Sequence, residues 1–286
     1  MNYSPLRYPG GKAKITPLVR LLMESSGVKN GTYIEPFAGG AGVALALLFN
    51  NQVDRIVIND YDVAIYSIWN AILNETDKFV SLIETKPISV DEWREQKKIY
   101  VEQNNEYSLE LAFATFYLNR TNRSGIIKAG PIGGYDQTGN YLIDARYNKV
   151  DLINRIRRIA KFKEKIIIYN KEIREFIVDY LPLYNHNSFV YFDPPYFKKG
   201  KELYKNFFNL TDHRDIAELI CKLDIPWMLT YDDEKEIVEL YKDKHIKRYE
   251  INHSAANKGR NKEIIALSDN FWPSNDLVNK LKMDIR

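Results

Sequence analysis

The 286-residue sequence has few of the residues that build metal centres and disulfide scaffolds. Cys221 is the only cysteine, which excludes an internal disulfide framework and a zinc site made of thiolates. It lies in an apolar helical pattern, so we expect it to be a small core residue. The four histidines show no spacing typical of metal ligands, and we expect no metal site. They are His186, His213, His245 and His253.

Long hydrophobic runs are also missing. No stretch of about 18 or more apolar residues is present, which excludes a transmembrane helix in this sequence. The pattern of a secretory signal peptide is not found. Hydrophobic residues still make up 45% of the chain, enough for a sizeable core. Together with the scarcity of cysteine, these features predict a cytoplasmic protein.

A strong excess of charge of one sign is missing as well, because the net charge is only +3. That value is too small to indicate nucleic-acid binding by itself. Basic residues are nevertheless grouped: residues 1–23 hold four and no acid, residues 146–165 hold eight against two acids, and residues 244–262 hold six against one. These stretches are candidate phosphate-contact surfaces. For residues 155–165, solvation of an ordinary helix face is an equally good explanation.

The most informative segment is Asp193-Pro194-Pro195-Tyr196, which follows the apolar run 189–192. A residue before proline is held extended, so Asp193 continues the strand and ends it. Two prolines remove two backbone donors and leave carbonyl and carboxylate acceptors next to an aromatic ring. Acceptors beside a ring suit a flipped-out base, whose exocyclic amine is hydrogen-bonded while the ring is stacked. The alternative is a proline-terminated strand that ends in a surface loop.

A second segment has the pattern of a nucleotide-type site. Residues 32–37 read as a short strand, a glycine-rich turn follows at 38–42, and residues 43–48 read as a helix. The next strand, 55–59, ends at Asp60, where an acid can accept hydrogen bonds from ribose hydroxyls. The turn has no Lys-Ser/Thr pair, so a nucleoside ligand without a phosphate fits better than a P-loop substrate.

These segments, in this order, resemble the Dam-like DNA adenine methyltransferases, which use S-adenosylmethionine. The resemblance rests on four blocks: residues 6–12 with a Gly-Gly-Lys, Glu35-Pro36-Phe37-Ala38-Gly39, Asn59-Asp60, and the tetrapeptide at 193–196. The chain departs from the family where Tyr8 stands in place of the frequent tryptophan. It also departs at Ala41, which occupies the place of the second glycine of the loop.

The resemblance implies S-adenosylmethionine as the cofactor and the tetrapeptide as the catalytic motif. Lys12 and the Gly10-Gly11 turn would hold the methionine part, and Asp60 the ribose. The implied cofactor-binding residues are Tyr8, Gly10, Gly11, Lys12, Glu35, Pro36, Phe37, Ala38, Gly39, Gly40, Asp60 and Asp193. The implied catalytic residues are Asp193, Pro194, Pro195 and Tyr196.

Strands alternate with helices at both ends of the chain, which predicts an α/β fold of Rossmann-like type with a mostly parallel mixed sheet. Further strands are expected at 166–169, 189–192, 227–230, 246–251 and 263–268, and helices at 63–73, 173–180 and 233–241, with another capped by Thr211. Residues 1–75 and 160–286 are expected to form the cofactor-binding catalytic domain. Ligands in such sheets bind at the carboxyl ends of the strands, where the glycine turn and Asp193 both lie.

Residues 76–159 break this alternation and are expected to form an inserted, mainly helical target-recognition domain. Residues 109–118 look helical, whereas 119–125 and 133–141 look like polar, glycine-containing loops. Such loops suit DNA contacts, although an ordinary surface hairpin has the same composition. The expected nucleic-acid-binding residues are Arg120, Asn122 and Arg123, with Lys258 and Arg260 in a loop that closes over the flipped base.

We therefore expect methyl transfer to the N6 amine of adenine in double-stranded DNA by a monomer, with a restriction endonuclease or other defence component as a candidate partner. Cytosine offers a similar amine, so N4-cytosine or RNA methylation stays an alternative. A catalytically silent DNA-binding regulator with the same fold is another. Adenine is favoured by motif order and resemblance alone.

Overall fold

A computed structural model of the chain describes residues 3–7, 12–198, 208–251 and 261–281. Its helices and strands follow one another in this order: α1 (Thr16–Ser25), β1 (Thr32–Glu35), α2 (Gly42–Phe49), β2 (Arg55–Asn59), α3 (Val63–Asn74), α4 (Thr76–Thr85), α5 (Val90–Val101), α6 (Leu109–Thr121), α7 (Lys149–Ala160), β3 (Ile166–Tyr169), α8 (Ile173–Glu175), β4 (Ser188–Phe192), α9 (Leu210–Cys221), β5 (Trp227–Asp232), α10 (Lys235–Leu240), β6 (His245–Ile251), β7 (Asn261–Leu267) and α11 (Asn275–Lys280).

The chain divides into two compact units. The helical unit comprises Met1–Gly11, Gly39–Gly42 and Asp60–Asn170, and the sheet unit comprises Lys12–Ala38, Val43–Asn59 and Lys171–Arg286. The helical unit contains the predicted insert but is larger than it, because α3 packs against α6 and α7 and so belongs with them. Whether residues 76–159 by themselves recognise the target stays a prediction.

Six strands form the sheet unit, in the order β2-β1-β4-β5-β7-β6. The pairs β2-β1, β1-β4 and β4-β5 are parallel, with Ile34 opposite both Val57 and Val190. β7 is antiparallel to both β5 and β6. The sheet is therefore mixed and parallel at its centre, which confirms the predicted α/β fold.

β4 lies in the middle of this sheet, and all five of its residues are buried. Continuous burial is typical of a parallel strand covered on both faces, and it explains why the strand reads as an unbroken apolar run. β1 is flanked by β2 on one side and β4 on the other, although β4 comes much later in the chain. The carboxyl ends of β1 and β4 meet at this reversal, where ligands bind in open α/β sheets.

The helical unit is organised around α6, which is buried along almost its whole length. It begins where the Ser108 hydroxyl accepts a hydrogen bond from the Leu111 N–H. It packs against α3 and α5. α7 is amphipathic instead: Leu152, Ile153, Ile156 and Ile159 are buried, and the rest of its surface carries four basic residues beside Val150, Asp151 and Asn154.

The structure corrects the cap of one predicted helix, the helix type of another and part of a predicted loop. α9 is capped by Asn209 rather than Thr211, in a reciprocal capping box with Asp212. The helix predicted over 173–180 is an α-helix only to Glu175, continues as a π-helical turn over Phe176–Tyr180, and passes into a 3-10 turn that contains Pro182. Residues 119–121 belong to α6 rather than to a loop. In the described ranges, no helix is both long and apolar enough to cross a bilayer.

Candidate active site

Asp193 follows β4 directly, where the predicted catalytic tetrapeptide begins. The Thr230 hydroxyl, on neighbouring β5, donates to Asp193 Oδ1 at 2.8 Å. Tyr191 OH lies 2.7 Å from Thr230 Oγ1. Lys12 Nζ lies 3.3 Å from the same Asp193 oxygen. Within the described ranges, Thr230 and Lys12 therefore both act on Oδ1 of this carboxylate.

The groups around Asp193 shift its pKa in opposite directions. Burial raises the pKa of Asp193 above its usual value, Lys12 lowers it, and the nearby charge of Glu263 raises it again. The side chain of Asp193 is 27% exposed, whereas that of Lys12 is 3% exposed. The carboxylate thus reaches the surface of the site while its counter-charge is held below it.

Lys12 is the centre of a buried network that joins the tetrapeptide to β7. Its Nζ lies 2.8 Å from Glu263 Oε2 and donates to Tyr196 OH at 3.1 Å. The same nitrogen lies 5.2 Å from the centroid of the Tyr196 ring. Tyr196 OH donates to Glu263 Oε1 at 2.9 Å, and the Tyr249 hydroxyl donates to Oε2. Lys12 therefore contacts two residues of the predicted catalytic motif.

The charge on Lys12 is strongly favoured. Burial by itself would lower the pKa of Lys12, but attraction to Asp193, Tyr249 and Glu263 outweighs it and raises the pKa well above its usual value. A buried lysine with two carboxylate neighbours stays protonated, because removing its proton would leave those carboxylates without a counter-charge.

The sequence analysis treated Glu263 only as the first residue of a strand. In the structure it is 1% exposed and lies opposite both Asp232 on β5 and Tyr249 on β6. The available signal was an acidic residue directly before the apolar run 264–267. A carboxylate there needs a buried partner, but the sequence does not say that the partner is Lys12.

The turn after the tetrapeptide is fixed by a second residue that the sequence analysis missed. Asp232, the last residue of β5, accepts hydrogen bonds from the N–H groups of Phe197 at 3.0 Å and Lys198 at 3.2 Å. The Pro194 carbonyl accepts none from the part of the chain that the structure describes. The role of the prolines as acceptors for a substrate stays a prediction.

At the end of β1, Glu35 connects the strand to α2. Its Oε1 accepts hydrogen bonds from Tyr33 OH and from the Ala44 N–H, both at 3.0 Å. Burial raises the pKa of Glu35 to about 8, against the effect of these two donors. Pro36, the residue after Glu35, is held by Asn59, because Asn59 Nδ2 donates to the Pro36 carbonyl at 3.0 Å. These bonds fix the path of the chain on both sides of the glycine turn.

Within the helical unit, the turn and Asp60 are bonded to each other. The Gly39 N–H donates to Asp60 Oδ2 at 2.9 Å, and the Asp62 N–H donates to Oδ1 at 3.0 Å. Burial and the Asp62 charge raise the pKa of Asp60 to about 7, although both N–H donors oppose the rise. Gly39 and Ala41 both have a φ of 45°. Ala41 therefore adopts the left-handed conformation that glycine takes more easily.

Aromatic rings connect Phe37, before the glycine turn, with Phe197, the residue after the tetrapeptide. Phe37 lies edge-to-face on Phe208 at 6.0 Å between centroids, Phe208 lies 5.5 Å from His213, and His213 lies 5.2 Å from Phe197. Burial lowers the pKa of His213 to about 4, so its ring is neutral. His213 also hydrogen-bonds the Tyr231 hydroxyl through Nδ1. The sequence analysis gave His213 no role.

Asn122 was predicted to contact DNA, and its position contradicts that. It is completely buried. Its Oδ1 accepts a hydrogen bond from Trp93 Nε1 at 2.6 Å, and its Nδ2 donates to the carbonyls of Ile126 and Ile127, both at 3.0 Å. An amide with both hydrogens in use cannot read a base edge. Asn122 instead shapes the turn after α6.

The other predicted DNA contacts differ among themselves. Arg120 donates to the carbonyls of Arg146 and Pro5, so it is engaged in internal contacts. Arg123 is exposed, and its contact with DNA stays a prediction. Five predicted site residues lie outside the described residues. They are Tyr8, Gly10, Gly11, Lys258 and Arg260.

Comparison with known proteins identifies a family that the chain matches. The model of the D12 class N6 adenine-specific DNA methyltransferases matches residues 8–255. The chain is 26% identical over 239 residues to the type II methyltransferase M.MjaIII of Methanocaldococcus jannaschii, covering 77% of this chain and 79% of that protein. It is 29% identical over 168 residues to the type II methyltransferase M.CviBI of Paramecium bursaria Chlorella virus NC1A, covering 58% and 59%.

Proposed function

The chain belongs to the D12 class N6 adenine-specific DNA methyltransferase family, and from that premise we propose how its residues carry out the reaction. Membership confirms the resemblance that the four sequence blocks predicted, and it makes the chain an adenine-specific DNA methyltransferase. Our proposal is that Asp193 and the Pro194 carbonyl accept the two hydrogens of the adenine N6 amine, with S-adenosylmethionine as the methyl donor.

The observation that carries this proposal is the one-sided bonding of the Asp193 carboxylate. Thr230 and Lys12 both act on Oδ1. The second oxygen and the Pro194 carbonyl, one residue further on, are then two acceptors close together in the chain. A planar amine offers two N–H donors, one for each acceptor. Both acceptors are held in place before the substrate arrives. Such preorganisation lowers the free energy needed to arrange the reacting groups.

The nucleophile is the difficult part of this reaction. The lone pair of an aromatic amine is delocalised into the ring, so the nitrogen is planar and attacks poorly. Two acceptors outside the ring plane favour a pyramidal nitrogen and localise that lone pair. Bound S-adenosylmethionine supplies a methyl group on a sulfonium, an electrophile that needs no further activation. Methyl transfer leaves the thioether of the cofactor as the departing group and gives a positively charged nitrogen, which is strongly acidic, so its proton can leave to water without a dedicated base.

Tyr196 is proposed to stack on the extruded base. Its hydroxyl is anchored by Lys12 and Glu263, which restricts the ring to one orientation. Lys12 Nζ lies over the ring, at 5.2 Å from the centroid. A ring whose orientation is fixed in advance loses little conformational entropy when the base stacks on it.

For the cofactor, the residues at the ends of β1 and β2 fit a nucleoside. Asp60 offers carboxylate oxygens at a strand end, as a ribose requires, and Gly39 is bonded to it. We propose that Phe37, Ala38, Gly39 and Gly40 line the cofactor with backbone and ring atoms. Glu35 and Pro36 then act by fixing the loop through Ala44 and Asn59. Lys12 would contact the methionine end from the network it shares with Asp193.

The biological setting is also part of the proposal. Both similar proteins are named type II methyltransferases. We therefore propose that this enzyme acts as a monomer in the cytoplasm on double-stranded DNA, and that a cognate restriction endonuclease is its functional partner. A purified complex or a nuclease that is blocked by the methylated product would test that partnership.

A single experiment tests the chemistry. The protein is incubated with unmethylated DNA and S-adenosylmethionine, the DNA is digested to nucleosides, and methylated species are measured by mass spectrometry. Asp193→Asn is the informative variant, because Thr230 and Lys12 will orient its oxygen inwards and leave an amide donor where the substrate needs an acceptor. Asp224→Asn, at an exposed position, is the matched control.

We expect N6-methyladenine from the wild type and from Asp224→Asn, and none from Asp193→Asn with an unchanged melting temperature. Undiminished product from Asp193→Asn would overturn the role of the carboxylate. N4-methylcytosine as the product would support the amine chemistry and would show that cytosine, rather than adenine, is the substrate base.

A further inference from the structure

The turn that carries the tetrapeptide is bonded to β5 at both of its ends. At the start, the Thr230 hydroxyl donates to Asp193 Oδ1 at 2.8 Å. At the end, Asp232 accepts the Phe197 N–H on Oδ1 at 3.0 Å and the Lys198 N–H on Oδ2 at 3.2 Å. Thr230 and Asp232 are two positions apart on β5, so their side chains leave the strand on the same face, about 7 Å apart along it. These two residues are the anchor pair.

The two prolines between these ends depend on the anchor pair. Neither Pro194 nor Pro195 has an N–H, so neither can donate a main-chain hydrogen bond to the sheet. The Pro194 carbonyl accepts no main-chain hydrogen bond in the described ranges. Each proline ring also fixes its φ at about −65°, so the segment cannot absorb a displacement by rotating there. A shift at either end of the turn therefore moves the Pro194 carbonyl.

Phe197 is also held from the other face of the sheet. Tyr231 lies between the anchor pair, so its side chain points to the opposite face. Its hydroxyl is hydrogen-bonded to His213 Nδ1, and the His213 ring lies edge-to-face on the Phe197 ring at 5.2 Å between centroids. His213 is 2% exposed, and its Nε2 has no hydrogen-bond partner among the described residues. A buried nitrogen left unpaired lowers stability, which indicates that this histidine is retained for its contacts with Tyr231 and Phe197.

From these contacts we infer that Asp232 is a positioning residue for methyl transfer: together with Thr230 it fixes both ends of the turn and thereby the place of the Pro194 carbonyl. Asp232 acts through the main chain of Phe197 and Lys198 and does not itself touch the substrate. Its ionised form is the better acceptor for these two N–H groups, because hydrogen bonds to a charged acceptor are stronger. The inference rests on the proposed function in one respect, that the Pro194 carbonyl accepts a hydrogen of the amine.

The test is a comparison of kcat with cofactor binding in Asp232→Asn. This variant keeps the shape of the side chain but replaces one acceptor oxygen by an NH2 group, which then faces an N–H donor. We expect kcat at saturating DNA and S-adenosylmethionine to fall about 10- to 100-fold, because the Pro194 carbonyl is displaced from the amine. The Kd of S-adenosylmethionine, measured by calorimetry, should stay unchanged, since Glu35 and Asn59 hold the main chain beside the glycine turn through separate contacts.

The matched control is Glu234→Gln, which removes the same charge beside the same turn. Glu234 pairs with the Lys198 side chain at 2.5 Å, and that side chain is 64% exposed. A surface ion pair of this kind contributes little, so Glu234→Gln should keep the wild-type kcat. The calorimetric stoichiometry counts the folded, cofactor-competent protein. Expressing kcat per competent site therefore keeps the comparison valid for a variant that is partly unfolded.

The double variant Thr230→Val/Asp232→Asn shows whether the anchor pair acts as one unit. If both residues fix the same turn, its geometry is already lost when either end is released. We therefore expect the double variant to lose less than the product of the two separate losses in kcat. Losses that simply multiply would overturn the inference, because the two residues would then act independently.

Three further outcomes separate this inference from the proposed function. Equal losses of kcat in Asp232→Asn and Glu234→Gln would show that charge near the turn matters rather than the main-chain bonds, and would overturn the role of Asp232. A wild-type kcat in Asp232→Asn, with Asp193→Asn inactive, would refute the positioning role and leave the proposed function standing. An active Asp193→Asn would instead refute the proposed acceptors, and with them the reason for positioning the turn.

Discussion

Thr230, on β5, and Asp193, the residue that follows the neighbouring parallel strand β4, are joined by a hydrogen bond of 2.8 Å. Thr230 is completely buried, and the Tyr191 hydroxyl lies behind it at 2.7 Å. The two hydroxyls form a relay that ends on one oxygen of the carboxylate. Asp193 cannot rotate about its terminal bond without breaking this arrangement, so the second oxygen keeps its place before any base arrives.

Thr230→Val removes the donor and keeps the shape of the side chain. We expect kcat to fall about 10- to 100-fold, a loss of about 1.4 to 2.7 kcal/mol of transition-state stabilisation, because the acceptor is no longer fixed. The KM for DNA should hardly change, since the substitution leaves the contacts with the DNA backbone untouched. Steady-state methylation kinetics at saturating cofactor provide the measurement.

Thr230→Ser is the matched variant, because it restores the hydroxyl without the methyl group. It should recover most of the lost kcat. If valine and serine reduce kcat equally, the hydroxyl is not what matters at this position, and packing is the better explanation.

The charges around Asp193 predict opposite effects of two substitutions on the pH profile. Glu263 raises the pKa of Asp193, so Glu263→Gln should lower it and shift the acidic limb of the kcat profile to lower pH. Lys12 lowers that pKa, so Lys12→Met should shift the same limb to higher pH. The profile is measured from about pH 5 to 9, a range around the operating pH of acid–base groups.

The sign of the two shifts is the informative result. Loss of folding would move neither limb in a defined direction, and a melting curve for each variant identifies it. Shifts of both variants in the same direction would show that Lys12 and Glu263 do not act on Asp193 through their charges.

Glu35 should make the protein less stable as the pH rises. Its pKa is 4.5 unfolded and about 8 folded, because burial favours the neutral form. Between these values the unfolded chain has released a proton that the folded chain retains. Raising the pH therefore favours unfolding, by up to about 1.4 kcal/mol per pH unit in that window. Below pH 4.5 the carboxyl is protonated in both states and contributes no slope.

Glu35→Gln removes this titration and keeps an acceptor for Tyr33 and Ala44. We expect its free energy of unfolding, from urea titrations, to vary less between pH 5 and 8 than that of the wild type. Glu24→Gln, at an exposed position of α1, is the control and should follow the wild type. Parallel curves for Glu35→Gln and wild type would contradict the raised pKa.

Asn122 should matter for stability rather than for DNA sequence recognition. Asn122→Ala leaves Trp93 Nε1 and two carbonyls without their partner, at about 1 to 3 kcal/mol for each buried group left unpaired. We expect a loss of about 3 kcal/mol or more in the free energy of unfolding, with the same methylated sites found by sequencing. Arg123→Ala, at an exposed neighbouring position, should change stability by less than about 0.5 kcal/mol.

A changed recognition sequence in Asn122→Ala, at unaltered stability, would restore the prediction that this residue reads DNA. Reduced DNA affinity in Arg123→Ala would support the contact predicted for that residue.

The sequence predicted the parts of the site that are encoded locally. Asp193 and Asp60 each follow a short strand, and the order of strand, turn and helix is readable from a few adjacent residues. Because parallel strands share an edge, the sequence also placed the glycine turn and Asp193 at the same end of the sheet. Those inferences needed no knowledge of which strands are neighbours.

The remaining residues depend on distant pairing. Lys12 and Glu263 are 251 positions apart, and nothing near either residue indicates the other. Asp232 could be recognised only once β5 was known to end beside the turn it holds. Asn122 was misread because a polar residue next to arginines and glycine has the same local pattern whether it is exposed or buried. The composition of a segment does not determine whether a residue in it is buried, because burial depends on which other parts of the chain pack against that segment.

The separation between Lys12 and Glu263 also has a consequence for how the enzyme comes into being. A ribosome releases Lys12 early and Glu263 late, and domains fold as the chain emerges. Until β7 has joined the sheet, a nascent chain carries the tetrapeptide and Lys12 but lacks the buried carboxylate that holds both in register. Synthesis therefore yields a polypeptide whose glycine turn can form well before the network around Asp193 does. DNA near the ribosome meets a competent enzyme only after β7 has been synthesised.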